Sequence, residues 1–408
     1  MIPGDIPQWI VLVWLFILGA TIGSFLNVCI YRLPKQENVL DAWRGLGNPP
    51  SSCPFCRERI RWHDNVPILG WLWLGGRCRF CRHRIPVRYA LIEFLNGALF
   101  VLLYLMIVPA GFHARISESC LWTSLGPLSD PKLLRTELSA AVNLQFLYYL
   151  VMVEALLVAT FIDFDLQIIP DSVTLPAAIV GVVGATLFPR LWLAPVWLEN
   201  ERAADWISVF PMLHAVAVSL AGAIAGGGIV WLVRIVGRWV LRQEAMGFGD
   251  VILLAMIGSF MGWQAAMLVF LLAPICALAI VAGQWCFRRV YVIAYGPYLS
   301  LAALIVLLCW QPLWMRMQHV FGLGWWLGLY LVVMTVLLVL SLMLVQGIKR
   351  LLGIPLYPEE PGEAWTSADQ LTFFASYDRR AGKRGLQRAE WPGTSAGSGQ
   401  RQRDAWRG

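Results

Sequence analysis

The stretch WIVLVWLFILGATIGSFLNVCI occupies residues 9–30 and contains 22 consecutive positions without a charge. An α-helix rises about 1.5 Å per residue, so this run can cross a hydrocarbon core about 30 Å thick. A secretory signal peptide is the competing interpretation, but no basic residue precedes the run and it is long for such a signal. We therefore expect residues 9–30 to form the first transmembrane helix.

The rest of the chain has the same character. Of its 408 residues, 58% are hydrophobic and 14% are charged, which is typical of a membrane protein. We predict an all-α polytopic membrane protein with about eight or nine transmembrane helices. We expect residues 251–285 to form a tight hairpin whose first arm, ending at Gly262, reaches only halfway into the membrane. The further apolar runs cover residues 91–108, 144–162, 173–188, 212–233, 251–262, 265–285, 298–310 and 323–345.

The basic residues indicate an orientation in the membrane. If the N-terminus lies outside, 26 of the 32 Lys and Arg residues fall in cytoplasmic segments. Cytoplasmic loops of membrane proteins collect Lys and Arg, so this is the expected topology. The net charge of +7 follows from the topology, and it does not imply a nucleic-acid partner.

Composition divides the chain into segments. Residues 31–88 are polar and poor in aliphatic side chains, so something other than a hydrophobic core must hold this segment together. The end of the chain is rich in Gly, Ser and Arg and is predicted to be disordered. We expect a first transmembrane helix at 1–30, a small cytoplasmic zinc-binding domain with four cysteine ligands at 31–88, a membrane core at 89–310, an extra transmembrane helix at 311–348 and a cytoplasmic tail at 349–408.

Two Cys-x-x-Cys pairs, Cys53 with Cys56 and Cys78 with Cys81, lie in the polar segment. Four thiolates at this spacing can bind one tetrahedral Zn²⁺, which would replace the missing core. Four protein ligands leave no open coordination position, so the ion is expected to be structural. Free thiols and disulfides are the alternatives, and a cytoplasmic location disfavours disulfides.

Aspartates follow and precede two of the apolar runs. Asp163, Asp165 and Asp171 come directly after the third run, and Gly247-Phe248-Gly249-Asp250 precedes the sixth. Acidic residues at a membrane edge are costly and suggest a function. Two carboxyl groups that share one proton can hydrolyse an amide, one activating water and the other protonating the carbonyl. Capping and solvation of helix ends is the structural alternative, and we expect that role for Asp171.

Helix geometry separates Asp163 from Asp165. Two residues of a continuing helix project about 200° apart, so the two carboxylates cannot face one cleft. Only one of them is expected to act with Asp250. If Asp163 is that residue, replacing Asp165 with Asn should leave much of the activity.

Together these residues resemble the prepilin peptidase family, membrane aspartyl proteases of the Gly-x-Gly-Asp kind that serve type IV pili and type II secretion. The resemblance covers about residues 14–310 and places the catalytic pair on Asp163 and Asp250. It rests on matches in the right order: Gly23-Ser24-Phe25-Leu26-Asn27-Val28 with Tyr31-Arg32-Leu33-Pro34, both cysteine pairs, Asn65-Val66-Pro67-Ile68-Leu69 with Gly75-Gly76-Arg77-Cys78, Arg88-Tyr89 with Glu93, the Asp163 to Asp171 stretch, Gly247 to Asp250, and Tyr295-Gly296-Pro297-Tyr298.

The resemblance implies a membrane aspartyl endopeptidase of the bacterial inner membrane, with its active site facing the cytoplasm. Its substrates would be type IV pilin-like or pseudopilin precursors, cleaved after a short basic leader ending in Gly. It also implies N-methylation of the new N-terminus with S-adenosylmethionine, without indicating which residues bind that cofactor, and membrane lipid as a further partner. Ile252 stands where the family commonly has Lys, and Gly70 and Gly76 also depart from the family's pattern.

Two other functions remain possible from the sequence. A presenilin-like intramembrane protease also uses Gly-x-Gly-Asp, but it would be expected to carry a Pro-Ala-Leu tripeptide, which this chain lacks. A proton-coupled transporter would use membrane-edge aspartates, but neither an inverted repeat nor a pair of broken helices supports it.

Overall fold

A computed structural model describes residues 7–36, 38–47, 50–53, 55–107, 131–188, 209–241, 246–285, 294–321 and 326–351. These residues are helical apart from turns and two isolated β-bridges in the polar segment. The chain divides into two compact units, one reaching Val180 and the other beginning at Gly181.

The all-α fold predicted from the sequence is confirmed, with the polar segment between the first helix and the next long one. The helices are α1 (Gln8–Arg32), α2 (Val39–Arg44), α3 (Leu69–Trp73), α4 (Arg88–Ile107), α5 (Pro131–Leu166), α6 (Asp171–Leu187), α7 (Pro211–Leu241), α8 (Phe248–Trp285), α9 (Gly296–Leu308), α10 (Trp310–Phe321) and α11 (Trp326–Leu351).

Small residues and buried amides join α1 and α4 in the first unit. Gly97 of α4 lies so close to α1 that an added methyl group would come 2.8 Å from the carbonyl oxygen of Phe16. The buried Asn96 amide donates to the carbonyl of Gly19 at 2.9 Å, and Asn27 donates to the carbonyl of Tyr89 at 3.1 Å. Within a membrane such packing and hydrogen bonding replace the hydrophobic effect. Part of the Gly-Ser-Phe-Leu-Asn motif therefore builds the fold.

The second unit contains the predicted hairpin. Gly262 has φ 81° and ψ 171°, a conformation that breaks α8. A methyl group on Gly226 of α7 would lie 2.5 Å from the Leu254 carbonyl oxygen and 3.4 Å from the Ala266 Cβ. Those two atoms are thus within about 6 Å of each other, whereas twelve residues of straight helix would separate them by about 18 Å. The chain therefore turns back at Gly262.

The hairpin is fastened to α7 by backbone contact. Gly222 of α7 and Gly258 of α8 meet so closely that a methyl group on either would collide with the other's carbonyl. Beside them, the Ser219 hydroxyl donates to the carbonyl of Ser259 at 2.7 Å. The paired small residues therefore set how near the two helices lie.

Five helices of the described residues are long and apolar enough to cross a membrane, or six if the bent pair Gly296–Leu308 and Pro312–Phe321 counts as one span. The five are Gln8–Lys35, Arg88–Ile107, Asn143–Leu166, Pro211–Val240 and Phe248–Ala282, the last being the helix that turns back. The apolar run at 173–188 forms the shorter helix α6, and the run at 323–345 lies within α11 and residues just before it. The protein is therefore a multi-pass membrane protein, and the number of eight or nine spans stays a prediction.

Candidate active site and metal centre

The four predicted metal ligands lie together. The sulfur atoms of Cys53, Cys56, Cys78 and Cys81 are all within 4.8 Å of one another. The Cys53 and Cys81 sulfurs are 3.8 Å apart, and those of Cys56 and Cys78 are 4.0 Å apart. Four thiolates about 2.3 Å from a tetrahedral zinc would have their sulfurs about 3.8 Å apart. The cluster therefore has about the size of a four-cysteine site for such an ion.

The two cysteine pairs have the same backbone geometry. In the first, the Arg57 amide donates to the carbonyl of Cys53 at 2.9 Å, and in the second the Arg82 amide donates to that of Cys78 at 3.0 Å. Arg57 and Arg82 both have left-handed backbones, with φ 60° and 59°. A short antiparallel bridge closes the segment around each cysteine pair, Ser52 with Arg59 and Arg77 with Arg84. We call each of these closed segments a knuckle. Each knuckle therefore presents two sulfurs to a shared point.

Charged groups tie the four-cysteine segment together and to the membrane helices. Arg79 forms an ion pair with Asp64 and holds the pKa of that carboxyl below its usual range. Glu93, one turn into α4, accepts a hydrogen bond of 2.7 Å from the backbone amide of Ile68. The loop between the knuckles is thus fixed to a transmembrane helix.

Asp163 lies in the last turn of α5, and its residue is 6% exposed. The helix continues to Leu166, so Asp163 and Asp165 project in different directions, as predicted. Helix α5 ends where Gln167 adopts a left-handed conformation, with φ 57°. The backbone amide of Gln167 donates to the carbonyl of Asp163 at 3.0 Å.

Asp165 is held by Arg88, the first residue of α4. The guanidinium forms an ion pair with Asp165, donates to the carbonyl of Phe161 at 3.2 Å and lies over the Phe161 ring. The Asp165 side chain is 9% exposed. Arg88 therefore contacts residues on both sides of Asp163 along the chain, which fixes the turn that bears it.

Asp250 lies in the first turn of α8 and is 7% exposed. The Arg234 guanidinium of α7 lies over the ring of Phe248, 5.5 Å from its centroid, at the start of the same turn. Tyr295, just before α9, is half-buried, and burial and the negative charge of Asp250 both raise the pKa of its phenol. A phenol that keeps its proton can donate a hydrogen bond.

The structure thus brings the four cysteines together and places Asp163 and Asp250 at helix ends in separate units. Asp171 begins α6, where capping was expected. Arg88 and Tyr295 both belong to the motifs quoted above, but the sequence alone assigns neither of them a role. An Arg at the start of an apolar helix and a Tyr before Gly-Pro carry little signal alone.

Fold and site define a class: a multi-pass membrane protein with a four-cysteine cluster on its first polar segment and buried aspartates at the ends of membrane helices. The model of the Bacterial Peptidase A24 N-terminal domain matches residues 17–107, and that of the Type IV leader peptidase family matches residues 150–282. The chain belongs to the type IV leader peptidase family.

Three curated relatives are similar to this chain over most of their own length. A prepilin leader peptidase/N-methyltransferase of Klebsiella pneumoniae is 33% identical over 260 residues, 64% of this chain and 89% of the relative. Proteins with the same description from Dickeya chrysanthemi and Aeromonas hydrophila are 32% and 29% identical, covering 90% and 91% of the relatives and 71% and 74% of this chain. No solved structure matches.

Proposed function

We propose that this protein is a membrane aspartyl endopeptidase that removes the leader of type IV prepilin-like proteins and N-methylates the new N-terminus. The observation that carries the proposal is the family match, which includes both aspartate segments in one domain, together with the burial of Asp163 and Asp250. The descriptions of the relatives name both activities.

The helix ends suggest different roles for the two aspartates. Asp250 lies at a helix N-terminus, where the backbone amides favour a negative charge, and Asp163 lies near a C-terminus, where the carbonyls disfavour one. Asp250 is then the charged base and Asp163 the neutral acid. Tyr295 is a neighbour able to orient Asp250 in place of the Lys that Ile252 replaces.

Hydrolysis follows from these roles if the two carboxyl groups meet around one water. Asp250 takes a proton from the water, whose oxygen attacks the scissile carbonyl carbon, while Asp163 gives its proton to the carbonyl oxygen. Collapse of the tetrahedral intermediate breaks the C–N bond. Asp250 then passes its proton to the leaving amine, and Asp163 recovers a proton from the intermediate's hydroxyl. No nucleophilic side chain is needed.

The cysteine cluster supports a structural Zn²⁺, since all four sulfurs fit one tetrahedral ion and leave no open position. Methyl transfer would take its methyl group from S-adenosylmethionine. The excess of basic residues favours a location of the four-cysteine segment and both aspartates on the cytoplasmic side of a bacterial inner membrane. The substrates would be type IV pilin-like or pseudopilin precursors, whose basic leader lies on that side. The domain boundaries are proposed as the sequence predicts them. Most of the predicted tail at 349–408 lies outside the residues that the structure describes.

One experiment tests the proposal. Purified protein in membranes is incubated with a pilin-like precursor, and the mass of the product's N-terminus is measured. Loss of the leader and gain of one methyl group would support both activities. An intact precursor, with correctly folded and metal-loaded protein, would refute the proteolytic function.

A further inference from the structure

The short helix α3, between the two knuckles, has an exposed apolar face. Leu69, Leu72 and Trp73, which we call the α3 patch, are 57%, 58% and 86% exposed. The neighbouring Trp71 instead turns inward, where its indole donates to the carbonyl of Ile85 at 3.0 Å. Burying such side chains is favourable, so an apolar patch of three is unusual on a surface that faces water.

The position of α3 relative to the membrane helices suggests what covers this patch. The amide of Ile68, the residue before α3, donates to the Glu93 carboxylate, and Glu93 lies inside the candidate span Arg88–Ile107. Helix α3 therefore begins level with the first turns of that span. Leu91 and Phe94, on the same turns of α4, are 54% and 53% exposed, as expected of lipid-facing residues.

The charge of the surrounding domain favours an anionic surface. The two knuckles and the segment between them contain two acidic residues, Glu58 and Asp64, and Asp64 is already paired with Arg79. Exposed arginines in the same segment greatly outnumber them. Basic residues close to an anionic membrane are attracted to its headgroups. A basic leader peptide would be repelled here. The exposed arginines are Arg57, Arg59, Arg61, Arg77, Arg79, Arg82 and Arg84.

We infer that the α3 patch is a membrane anchor. Leu69, Leu72 and Trp73 insert into the headgroup and upper acyl region of the leaflet on the side of the cysteine cluster, and the arginines around them contact anionic phospholipid headgroups. The four-cysteine domain is thereby held flat against the membrane. This inference rests on the membrane fold and does not depend on which residues catalyse.

Photocrosslinking in the full-length protein tests the anchor. A benzophenone-bearing phenylalanine analogue is placed at position 73 and, in separate variants, at positions 224 and 58. Ile224 of α7 is 73% exposed and serves as the lipid-facing control, and Glu58 is the exposed control on a knuckle. Each variant is illuminated in nanodiscs with and without phosphatidylglycerol. The protein is then digested, and mass spectrometry identifies the adducts on the peptide that carries the analogue. Zinc content reports folding.

The expected result is phospholipid adducts at positions 73 and 224 and few at 58. Phosphatidylglycerol should raise the yield at 73 about threefold or more relative to phosphatidylcholine alone. Adducts at 224 with none at 73 would show that the patch faces water and overturn the inference. Equal yields at 73 and 58 would also overturn it, and so would adducts at 73 with a second copy of this chain in place of lipid, which would make the patch a protein interface.

Discussion

Arg88, the first residue of α4, forms an ion pair with Asp165, two residues beyond Asp163 in the same turn of α5. The guanidinium also donates to the carbonyl of Phe161. The turn that bears the proposed catalytic acid is therefore held from a neighbouring helix. Removing one partner of a buried pair leaves an uncompensated charge, which costs more than removing both.

The first prediction concerns this pair. Arg88→Gln is expected to lower stability by about 2 kcal/mol and to slow leader cleavage, because it leaves the Asp165 carboxylate buried without a cation. Asp165→Asn should lose less, since Arg88 is 29% exposed and reaches water. The double variant should recover much of the loss. Unfolding in detergent and cleavage rates measure the cycle, and purely additive losses would show that the two residues are not coupled.

The contact with Arg88 modifies the expectation for Asp165 alone. The sequence predicts that Asp165→Asn retains much of the activity, because its side chain points away from Asp163. In the structure the Asp165 side chain does point away from Asp163. Its ion pair with Arg88, however, gives Asp165 a structural role that the spacing of the two aspartates does not reveal. We therefore expect a partial loss of activity that follows stability.

The second prediction concerns catalysis. Asp163→Asn and Asp250→Asn should each abolish cleavage, because either change leaves the carboxyl pair without its acid or its base. The double variant should be no worse than the single ones, since the two act as one unit. Asp171→Asn, at an exposed helix start, is the matched control. A gel shift of a pilin-like substrate reports cleavage, with expression checked in parallel; full activity in either single variant would remove the aspartyl mechanism.

The third prediction concerns the metal. Purified protein should contain about one zinc per chain, because four thiolates within reach of one point satisfy a tetrahedral ion. A Cys53→Ser and Cys78→Ser double variant takes one ligand from each knuckle and should lose the metal. Cys309→Ser, at an exposed cysteine outside the cluster, should keep it. Elemental analysis decides; negligible zinc in the parent protein would refute the assignment.

The fourth prediction concerns the contact between α7 and α8. Gly258→Ala should destabilise the protein by about 1–3 kcal/mol, because its methyl group collides with the carbonyl of Gly222. Gly228→Ala, on α7 in open space, should be neutral or slightly stabilising. Thermal unfolding of the purified variants measures both. Equal stability of the two variants would contradict the close contact.

The fifth prediction separates the two proposed activities. Without S-adenosylmethionine, a purified reaction should give a cleaved, unmethylated product, because hydrolysis needs only the carboxyl pair and water. Adding the cofactor should raise the product mass by one methyl group. If cleavage itself stops without the cofactor, the two steps are not independent.

The features that the sequence predicts are those that depend on residues close together along the chain. The apolar runs gave the helices, the two Cys-x-x-Cys pairs gave the cluster, and Gly262 marked the turn of the hairpin. Contacts between distant residues could not be predicted in this way: Arg88 and Asp165 are 77 positions apart, and Ile68 and Glu93 are 25 apart. Such pairs depend on how the helices pack, which no local pattern specifies.

The end of α5 illustrates a second limit. A left-handed residue commonly terminates a helix, and Gly is the usual signal for it. Here Gln167 adopts that conformation, so the helix end just beyond the aspartates was not visible in the residue types. The predicted run stops at residue 162, whereas the helix continues through Leu166 and carries Asp163 and Asp165 with it.

The two knuckles also bear on the order in which the protein assembles during synthesis. All four cysteines have been translated once the ribosome passes Cys81, before any residue of α4 has been made. Domains of a growing chain fold in the order in which they emerge. The four-cysteine segment therefore leaves the ribosome when α1 is the only long membrane helix that has emerged ahead of it. The later helices then insert beside this segment. The hydrogen bond from Ile68 to Glu93, which attaches the segment to α4, and the ion pair between Arg88 and Asp165, which joins α4 to α5, form afterwards.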